Sequence, residues 1–368
     1  MAVDTTPEVR RRAAATAGLG ETSPAIEGPL KGHHHETYVI PLPGGGRRCK
    51  VREPRSGLLW FDRRCFASED RLLQELYGRI SRIPEIVTVG EGVLLQGFIE
   101  GRTLGRGVMP SKALSPRHRG QLIQLFSELV SIEVEGIGAR RVCEDVDRPV
   151  DGDCTGFLGR LITFTEQQVY ERHGAPYRSL FAELGVDKRA LGALRRRADG
   201  LAGRSFALVH GDLHRLNFIV DRAGDLWTID WELAMIGDPL YDLATHLHLM
   251  RYSPREAERI ARLWAGTVES VRPECAKGWR EDLEVLRDYK RVQSVYTDVI
   301  RGAVALEQPG GRLNWGRLPL VAHRVREALD ESREVRGAAA VPTLREVMAA
   351  YTRWFRDRPS GRVTASAP

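Results

Sequence analysis

The chain has 368 residues, 42% apolar and 28% charged, with 55 basic against 49 acidic side chains and a formal charge of +6. That length exceeds what one small core needs and points to two lobes, and no apolar run approaches the roughly 18 residues of a membrane span. The basic excess is not interleaved with stacking aromatics, which argues against nucleic acid, and the five scattered cysteines form no CxxC pair, which argues against a disulfide frame or zinc knuckle. The first twenty residues lack the hydrophobic centre of a secretory signal. The expectation is a cytoplasmic protein, monomeric or homodimeric, with no membrane or nucleic-acid partner.

Residues 1–25 are polar and alanine-rich and are expected to be disordered. "PLKGHHHETYVIPL" (29–42) ends in a strand-like run, "PGGG" (43–46) signals a turn, and "RRCKVREP" (47–54) resumes strand alternation. From Phe66 the period changes. Leu72, Leu73, Leu76 and Tyr77 form a helical stripe, and Glu69 sits one turn earlier on the same face, where it needs a cationic partner. "EIVTVGEGVLLQGFIEG" (85–101) reads as two strands joined at Gly90–Gly92. Residues 26–100 therefore read as a small antiparallel sheet with one helix.

After Gly101 the chain is mainly helical. Leu122, Leu125, Phe126, Leu129 and Val130 are spaced as one amphipathic helix, and "DGDCTGFLGRLITFTEQQVY" (151–170) and "RALGALRRRADGL" (189–201) as two more. Helices return from Asp242 to about Asp357, and residues 359–368 are expected to form a disordered tail. The fold class is thus α+β and bilobal, with an N-terminal lobe over 26–100 and a larger, mainly helical lobe over 101–358.

Between the helices lies "ALVHGDLHRLNFIVDRAGDLWTIDWELAMIGDP" (207–239), where short apolar runs alternate with clustered polar residues. "NFIV" (217–220) and "LWTI" (226–229) flank "DRAGD", so the simplest local fold is a tight hairpin centred between Ala223 and Gly224. That register pairs residues whose numbers sum to 447, which sets Asn217 opposite Asp230 at the open end. Paired Cα atoms lie about 4.5–5.5 Å apart, close enough for the two side chains to share a hard cation such as magnesium. Asp212, in the loop "HGDLHRLN", brings a third oxygen donor on a separate stretch of backbone. A carboxylate so placed accepts or orients an alcohol proton in phosphoryl transfer. His210 and His214 are four apart, but in a loop that spacing has no helical meaning and zinc is disfavoured. His33, His34 and His35 read as a loop over phosphates or a solvated turn.

H-G-D-x-x-x-x-N, I-D-W-E and G-D-P-x-x-D-L-A, present in that order, resemble the aminoglycoside phosphotransferase family of antibiotic kinases. Its relatives include choline, homoserine and fructosamine kinases and, more distantly, protein kinases. The resemblance covers roughly residues 26 to 330. It implies a bilobal protein-kinase-like fold and transfer of a phosphate from ATP or GTP, with Mg2+, to a small-molecule hydroxyl. It further implies Asp212 as the catalytic aspartate, His210 as its supporting histidine, and Asn217 and Asp230 as magnesium ligands. Asp238 and Asp242 match structural acids, Asp242 as cap of the helix that follows. Glu232 follows the metal aspartate and would face the acceptor.

In the first lobe the family carries a cation on the third strand that grips the nucleotide phosphates. Lys50 and Arg52 lie on one strand face, so spacing does not choose between them. Glu69 matches the helix glutamate that pairs with that cation. Gly32 is the single glycine of the phosphate-covering turn "LKGHHHET", and Gln96, Gly97 and Phe98 match the adenine-facing hinge through their backbone groups. His246, on the helix after Asp242, and Tyr296, Asp298 and Arg301, in "RDYKRVQSVYTDVIRGA" (287–303), are candidates for the acceptor mouth. The favoured acceptor is an antibiotic or related natural product, for resistance or biosynthesis. The basic residues of 287–303 favour a neutral or acidic one. A metabolic kinase of the sugar, amino-alcohol or homoserine type, a nucleotide-binding pseudokinase and a metallohydrolase are the alternatives. Intact Asp212, Asn217 and Asp230 speak against the pseudokinase.

Overall fold

Alternating apolar residues near the N-terminus build a five-stranded antiparallel sheet. The computed structural model describes residues 7–18, 20, 23–30, 35–42, 46–54, 61–89, 92–105 and 113–358. The sheet holds β1 (Glu27–Leu30), β2 (His35–Pro41), β3 (Arg48–Pro54), β4 (Ile86–Val89) and β5 (Val93–Gly97) in the order β1-β2-β3-β5-β4. Tyr38 pairs with Val51 and Ile40 with Cys49, so these four share one face and leave Lys50 and Arg52 on the other.

The apolar face is covered by α1 (Pro7–Ala17), which overturns the expectation that 1–25 is wholly disordered. Val9, Ala13 and Ala17 recur every fourth residue and are buried, with Ala14, against Tyr38, Ile40 and Val51. The alanines that looked like a low-information tail are strong helix formers that let helix and sheet approach closely. The other sequence-predicted tail, 359–368, lies outside the described residues.

α2 (Glu69–Leu76) begins at Ser68, whose side chain accepts from the Arg71 amide at 3.2 Å. It buries Leu72, Leu73 and Leu76. Tyr77, expected on that stripe, is instead 55% exposed, because the helix ends there and its backbone turns extended.

The second part begins at β6 (Gly101–Thr103), then α3 (Pro116–Ser131), α4 (Cys154–Phe164) and a π-helical continuation over Thr165–His173. α5 (Arg178–Glu183) and α6 (Arg189–Ala198) follow. The polar centre contains β7 (Ala207–Val209), β8 (Phe218–Asp221), β9 (Leu226–Thr228) and β10 (Met235–Gly237). The chain closes with α7 (Pro239–Met250), α8 (Pro254–Val271), α9 (Trp279–Leu306), α10 (Leu318–Glu331), α11 (Arg333–Arg336) and α12 (Leu344–Asp357). One apolar cluster joins α2, α3, α4, α7, α8, α9, α10 and α12 around the short strands. Among the described residues no helix is long and apolar enough to cross a membrane. All five cysteines are free thiols.

Two local expectations are corrected. The β8–β9 hairpin pairs Phe218 with Thr228 and Val220 with Leu226, so paired numbers sum to 446 rather than 447. The turn spans three residues, Arg222–Gly224. It is closed by the Gly224 amide on the Asp221 carbonyl (3.1 Å) and the Asp221 amide on the Asp225 carbonyl (3.0 Å). Gly224, at φ 80°, supplies the left-handed residue of such a loop. The helix after the motif starts at Pro239, capped by Asp238, whose carboxylate accepts from the Leu240 amide at 3.0 Å. Asp242, expected as the cap, lies inside the first turn.

Candidate active site

β7 and β10 run antiparallel, with Val209 opposite Met235, and so bring the start of the 210–217 loop beside the stretch that follows β9. Gly211 sits at φ 80°, and a Cβ there would stand 2.7 Å from the Leu233 carbonyl oxygen. No other residue turns this corner without strain. Asp242, fully buried in α7, accepts from the amides of His210 (2.6 Å) and Gly211 (2.7 Å). This sequence-predicted structural acid therefore clamps the loop backbone instead of capping a helix.

His210 is fully buried beneath the loop. Its Nε2 bonds the Ile229 carbonyl (3.2 Å), its Nδ1 accepts from the Asp212 amide (3.3 Å), and its ring lies 4.7 Å from that of Trp231. Burial outweighs the nearby carboxylates and lowers its pKa to about 4. It is thus a neutral positioning residue, with both nitrogens committed and none left for zinc.

Asp212 is brought beside Asn217. The Asn217 amide nitrogen donates to the Asp212 carbonyl and to its Oδ2, both at 2.9 Å, and His214 Nε2 lies 3.2 Å from the same Oδ2. Among the described residues Oδ1 has no partner. Burial opposes ionisation of Asp212, but the His214 contact and the charges of His214 and Lys290 prevail and hold the carboxyl down. For His214 burial is likewise outweighed, here by Asp212, and its pKa is raised. His214 at this carboxylate was missed in the sequence, where it was weighed only as a metal ligand.

Asp230 is not opposite Asn217. The Ile229 amide takes that place, donating to the Asn217 carbonyl at 2.9 Å. One residue of slip in a regular strand would turn Asp230 to the far face. Asp230 instead adopts φ 69°, a left-handed conformation that aspartate tolerates better than most residues. Its carboxylate groups with Glu69 and Glu232, with ligand atoms within 4.8 Å of one another. Burial and the charges of Glu69, Glu232 and Asp212 raise its pKa to about 7. So much converging negative charge, all of it from oxygen donors, fits a divalent cation. Among the described residues no other grouping of His, Cys, Asp and Glu has metal-ligand spacing.

The cationic side comes from β3 and α2. Arg52 Nη1 pairs with Glu69 Oε2 at 2.8 Å and Nη2 with Asp70 Oδ1 at 3.1 Å. Glu69 also accepts from the Trp231 amide at 3.0 Å, which ties α2 to the stretch after β9. Burial opposes charge on Glu69, but Arg52 outweighs it and holds the carboxyl low. Lys50, on the same strand face, has no ion pair among the described residues. Burial and the Arg52 charge lower its pKa. Lys50, Arg52, His35, Arg64, Glu69 and Glu232 line one cavity. Glu232 pairs there with Arg64 and lies 3.7 Å from His35, in the cavity of Lys50 and Arg52 and not in the recess at Gly211 described below.

Gln96, Gly97 and Phe98, expected as an adenine-facing hinge, lie at the end of β5 and just beyond it. The Gly97 and Phe98 amides donate to the Glu85 and Arg48 carbonyls, both at 2.8 Å, and the Gln96 side chain donates to Asp70 at 2.8 Å. Those amides are therefore spent within the sheet. Gly32 lies outside the described residues.

A small recess opens at Gly211, next to Asp212, and is walled by Asp62, Phe164, Tyr241, Tyr289 and Gln293. Of the four remaining acceptor candidates only Arg301 comes near, 3.8 Å from Asp62. Tyr296 is buried, donating to the Asp187 carbonyl at 2.7 Å, and Asp298 does not line the recess. Buried His246 bonds the Leu213 carbonyl (3.0 Å) and Tyr252 hydroxyl (3.1 Å). Burial lowers the His246 pKa to about 3. An unfolded histidine binds its proton near 6.5, so stability is lost as pH falls below that value. Between pH 6.5 and 5 His246 is expected to account for about 2 kcal/mol of that loss. Urea unfolding at pH 7 and pH 5 checks it, with His246→Gln reducing the difference by about that amount.

The sequence profile of the phosphotransferase enzyme family matches residues 26–277. No curated protein matches the chain. Among solved structures, the ternary complex of a thermostable aminoglycoside phosphotransferase APH(4)-Ia mutant with ADP and hygromycin B is similar at TM-score 0.53 and 16% identity. That match covers 91% of this chain and 100% of the other. A choline/ethanolamine kinase family protein from Mesorhizobium loti is similar at TM-score 0.50 and 18% identity, covering 94% and 98%. Plasmodium vivax ethanolamine kinase is similar at TM-score 0.51 and 12% identity, covering 90% and 86%.

Proposed function

The chain belongs to the phosphotransferase enzyme family, a small-molecule phosphotransferase acting on a hydroxyl, and from that premise we propose that it moves the γ-phosphate of ATP or GTP to an antibiotic or related natural product. The observation that carries the catalytic assignment is Asp212, held ionised, fixed through Oδ2 by Asn217 and His214 and without a partner at Oδ1 among the described residues. Asp212 orients the acceptor hydroxyl and takes its proton as the new oxygen–phosphorus bond forms and the bond from the γ-phosphorus to the bridging oxygen breaks, releasing the nucleoside diphosphate. Asn217 and Asp230 would hold Mg2+. The ion, when bound, neutralises charge on the phosphates. His210 and Asp242 hold the loop. The first lobe, 26–100, binds the nucleotide and the second, 101–358, the acceptor.

Arg52 is committed to Glu69 and Asp70, which leaves Lys50 as the cation that meets the nucleotide phosphates. Lys50→Met is expected to raise the nucleotide KM about tenfold, the size of one charge-assisted hydrogen bond, with little change in Tm. Arg52→Met is expected to lower Tm as well, because Glu69 is left buried without its partner. Steady-state kinetics and thermal melts of both variants separate these roles.

A metabolic kinase is the second reading, favoured by the fold likeness to choline and ethanolamine kinases. One experiment tests both. Purified protein with MgATP or MgGTP is offered antibiotics and small metabolic alcohols, and mass spectrometry reads an added phosphate. Phosphate on an antibiotic but not on the metabolic alcohols supports the first reading. The reverse supports the second.

A further inference from the structure

Cys65 and Cys143 come from distant stretches of chain and meet at a single antiparallel bridge. Phe66 faces Arg141, the Val142 amide donates to the Cys65 carbonyl at 2.9 Å, and the Ala67 amide donates to the Arg140 carbonyl at 2.8 Å. Cys143 is therefore one step beyond the residue opposite Cys65. Paired Cα atoms about 5 Å apart and a rise of about 3.4 Å per residue put such a diagonal at about 6 Å. That lies within the roughly 4.4–6.8 Å that a disulfide spans. In a long ladder one step off register would send the two side chains to opposite faces. This bridge is isolated, and the two thiols interact directly.

The pair is unequal. Cys65 is 6% exposed, whereas Cys143 is half-buried and open to solvent. Contact with Cys65, contact with Arg148 and the charge of Arg63 together outweigh burial and hold the Cys143 thiol below its ordinary range. The same contact, with burial, pushes the Cys65 thiol up against the opposing charges of Arg63 and Arg141. Both guanidinium groups closest to Cys143 are fixed: Arg148 Nη2 donates to the Cys143 carbonyl at 2.6 Å and Arg63 Nη2 to the Asp147 carbonyl at 2.7 Å. The other three thiols, Cys49, Cys154 and Cys275, are at most 1% exposed, and burial raises the pKa of each. An accessible thiolate with a second thiol beside it is the arrangement that oxidises selectively.

The position matters too. Asp62 and Arg63 line the recess at Gly211, and Arg64, Phe66 and Ala67 line the cavity of Lys50 and Arg52. Cys65 lines neither and meets the 140–148 loop instead.

We infer that Cys65 and Cys143 form an oxidisable dithiol, a modification site at which a peroxide closes a reversible disulfide that fastens the cleft-lining strip 62–67 to the 140–148 loop. The Cys143 thiolate attacks one oxygen of hydrogen peroxide. The O–O bond breaks, leaving a sulfenic acid on Cys143 and a hydroxide that takes a proton from solvent. The Cys65 sulfur then attacks the Cys143 sulfur. The S–S bond forms, the S–O bond breaks, and the departing hydroxide leaves as water with the Cys65 proton. Two thiols are oxidised by two electrons and one peroxide is reduced to two waters.

Reduced full-length protein treated with hydrogen peroxide, alkylated and mapped by mass spectrometry without reductant tests it. The expected product is a peptide pair joined between Cys65 and Cys143, with Cys49, Cys154 and Cys275 unoxidised and the bond reversed by dithiothreitol. The oxidised protein is expected to melt about 5 °C higher, because the bond closes a long loop in the unfolded chain, and to return on reduction. Cys143→Ser is expected to form no disulfide and to melt at one temperature with or without peroxide. Cys65→Ser is expected to stop at the sulfenic acid on Cys143, which dimedone traps. If Cys65→Ser does not fold, the wild-type map and Cys143→Ser decide. A wild-type Cys143 that stays reduced, that carries sulfenic acid beside a free Cys65, or that joins a second molecule overturns the inference. So does oxidation of a buried thiol ahead of this pair, or a lower melting temperature on oxidation.

Discussion

Asp212→Asn is expected to lower kcat by about a thousandfold, within the range for losing a positioned general base, while nucleotide affinity stays within about threefold because the phosphate-side groups are untouched. The asparagine fits the same space but not the same chemistry. Asn217 Nδ2 and His214 Nε2 both point at Asp212 Oδ2. An amide nitrogen there would face the Asn217 donor, so the asparagine oxygen takes the position. The NH2 group then occupies the place of Oδ1, presenting a donor that accepts no proton. Kinetics on any acceptor found by screening, or on water as a slow acceptor, read the effect, and nucleotide binding controls for folding. Activity equal to the wild type would end the catalytic assignment and return the chain to a nucleotide-binding module.

Asp230→Asn is expected to abolish metal dependence and yet stabilise the metal-free protein. In the folded state the carboxyl titrates at about 7, raised by burial and by Glu69, Glu232 and Asp212. In the unfolded chain it ionises near 4. Between those values the unfolded state has released a proton that the folded state keeps. Stability of the metal-free protein therefore falls as pH rises from about 4 to about 7 and stays reduced above. Asparagine removes that penalty. At pH 8 without metal the variant is expected to melt about 3 °C above the wild type, with the difference gone near pH 4. Added Mg2+ raises the wild-type Tm at pH 8, more than at pH 6, and leaves the variant's nearly unchanged. Turnover falls by about 10²- to 10³-fold, as when one electrostatic element of a transition state is removed. A metal-free variant less stable than wild type at pH 8 would contradict the charge account. An unchanged response to Mg2+ would contradict the ligand assignment.

Much of the fold was legible because its signals are local. Strand alternation around Tyr38 and Val51 and the stripe of Leu72, Leu73 and Leu76 each need only a few neighbours to be read. The 210–242 motif likewise kept its order. Glu69 demanded a cation, and Arg52 is there. The misreadings share a cause. α1 looked like a tail because alanine shows its value only against the sheet it packs on. Asp242 looked like a cap because its real partners, the His210 and Gly211 amides, stand more than thirty positions away.

The amino-acid sequence alone determined the class of chemistry: which acids, which amide, which loop and in what order. Folding in three dimensions decided the rest. It set the three-residue turn, slipped the hairpin by one, and recovered Asp230 through a left-handed backbone. It gave Glu69 to Arg52 rather than Lys50. It also assembled the recess at Gly211 from Asp62, Tyr241 and Gln293, joining positions 231 residues apart. Periodicity reports the surroundings of one element. Contacts between distant segments are chosen by burial and charge balance over the whole molecule, and no window along the chain contains them.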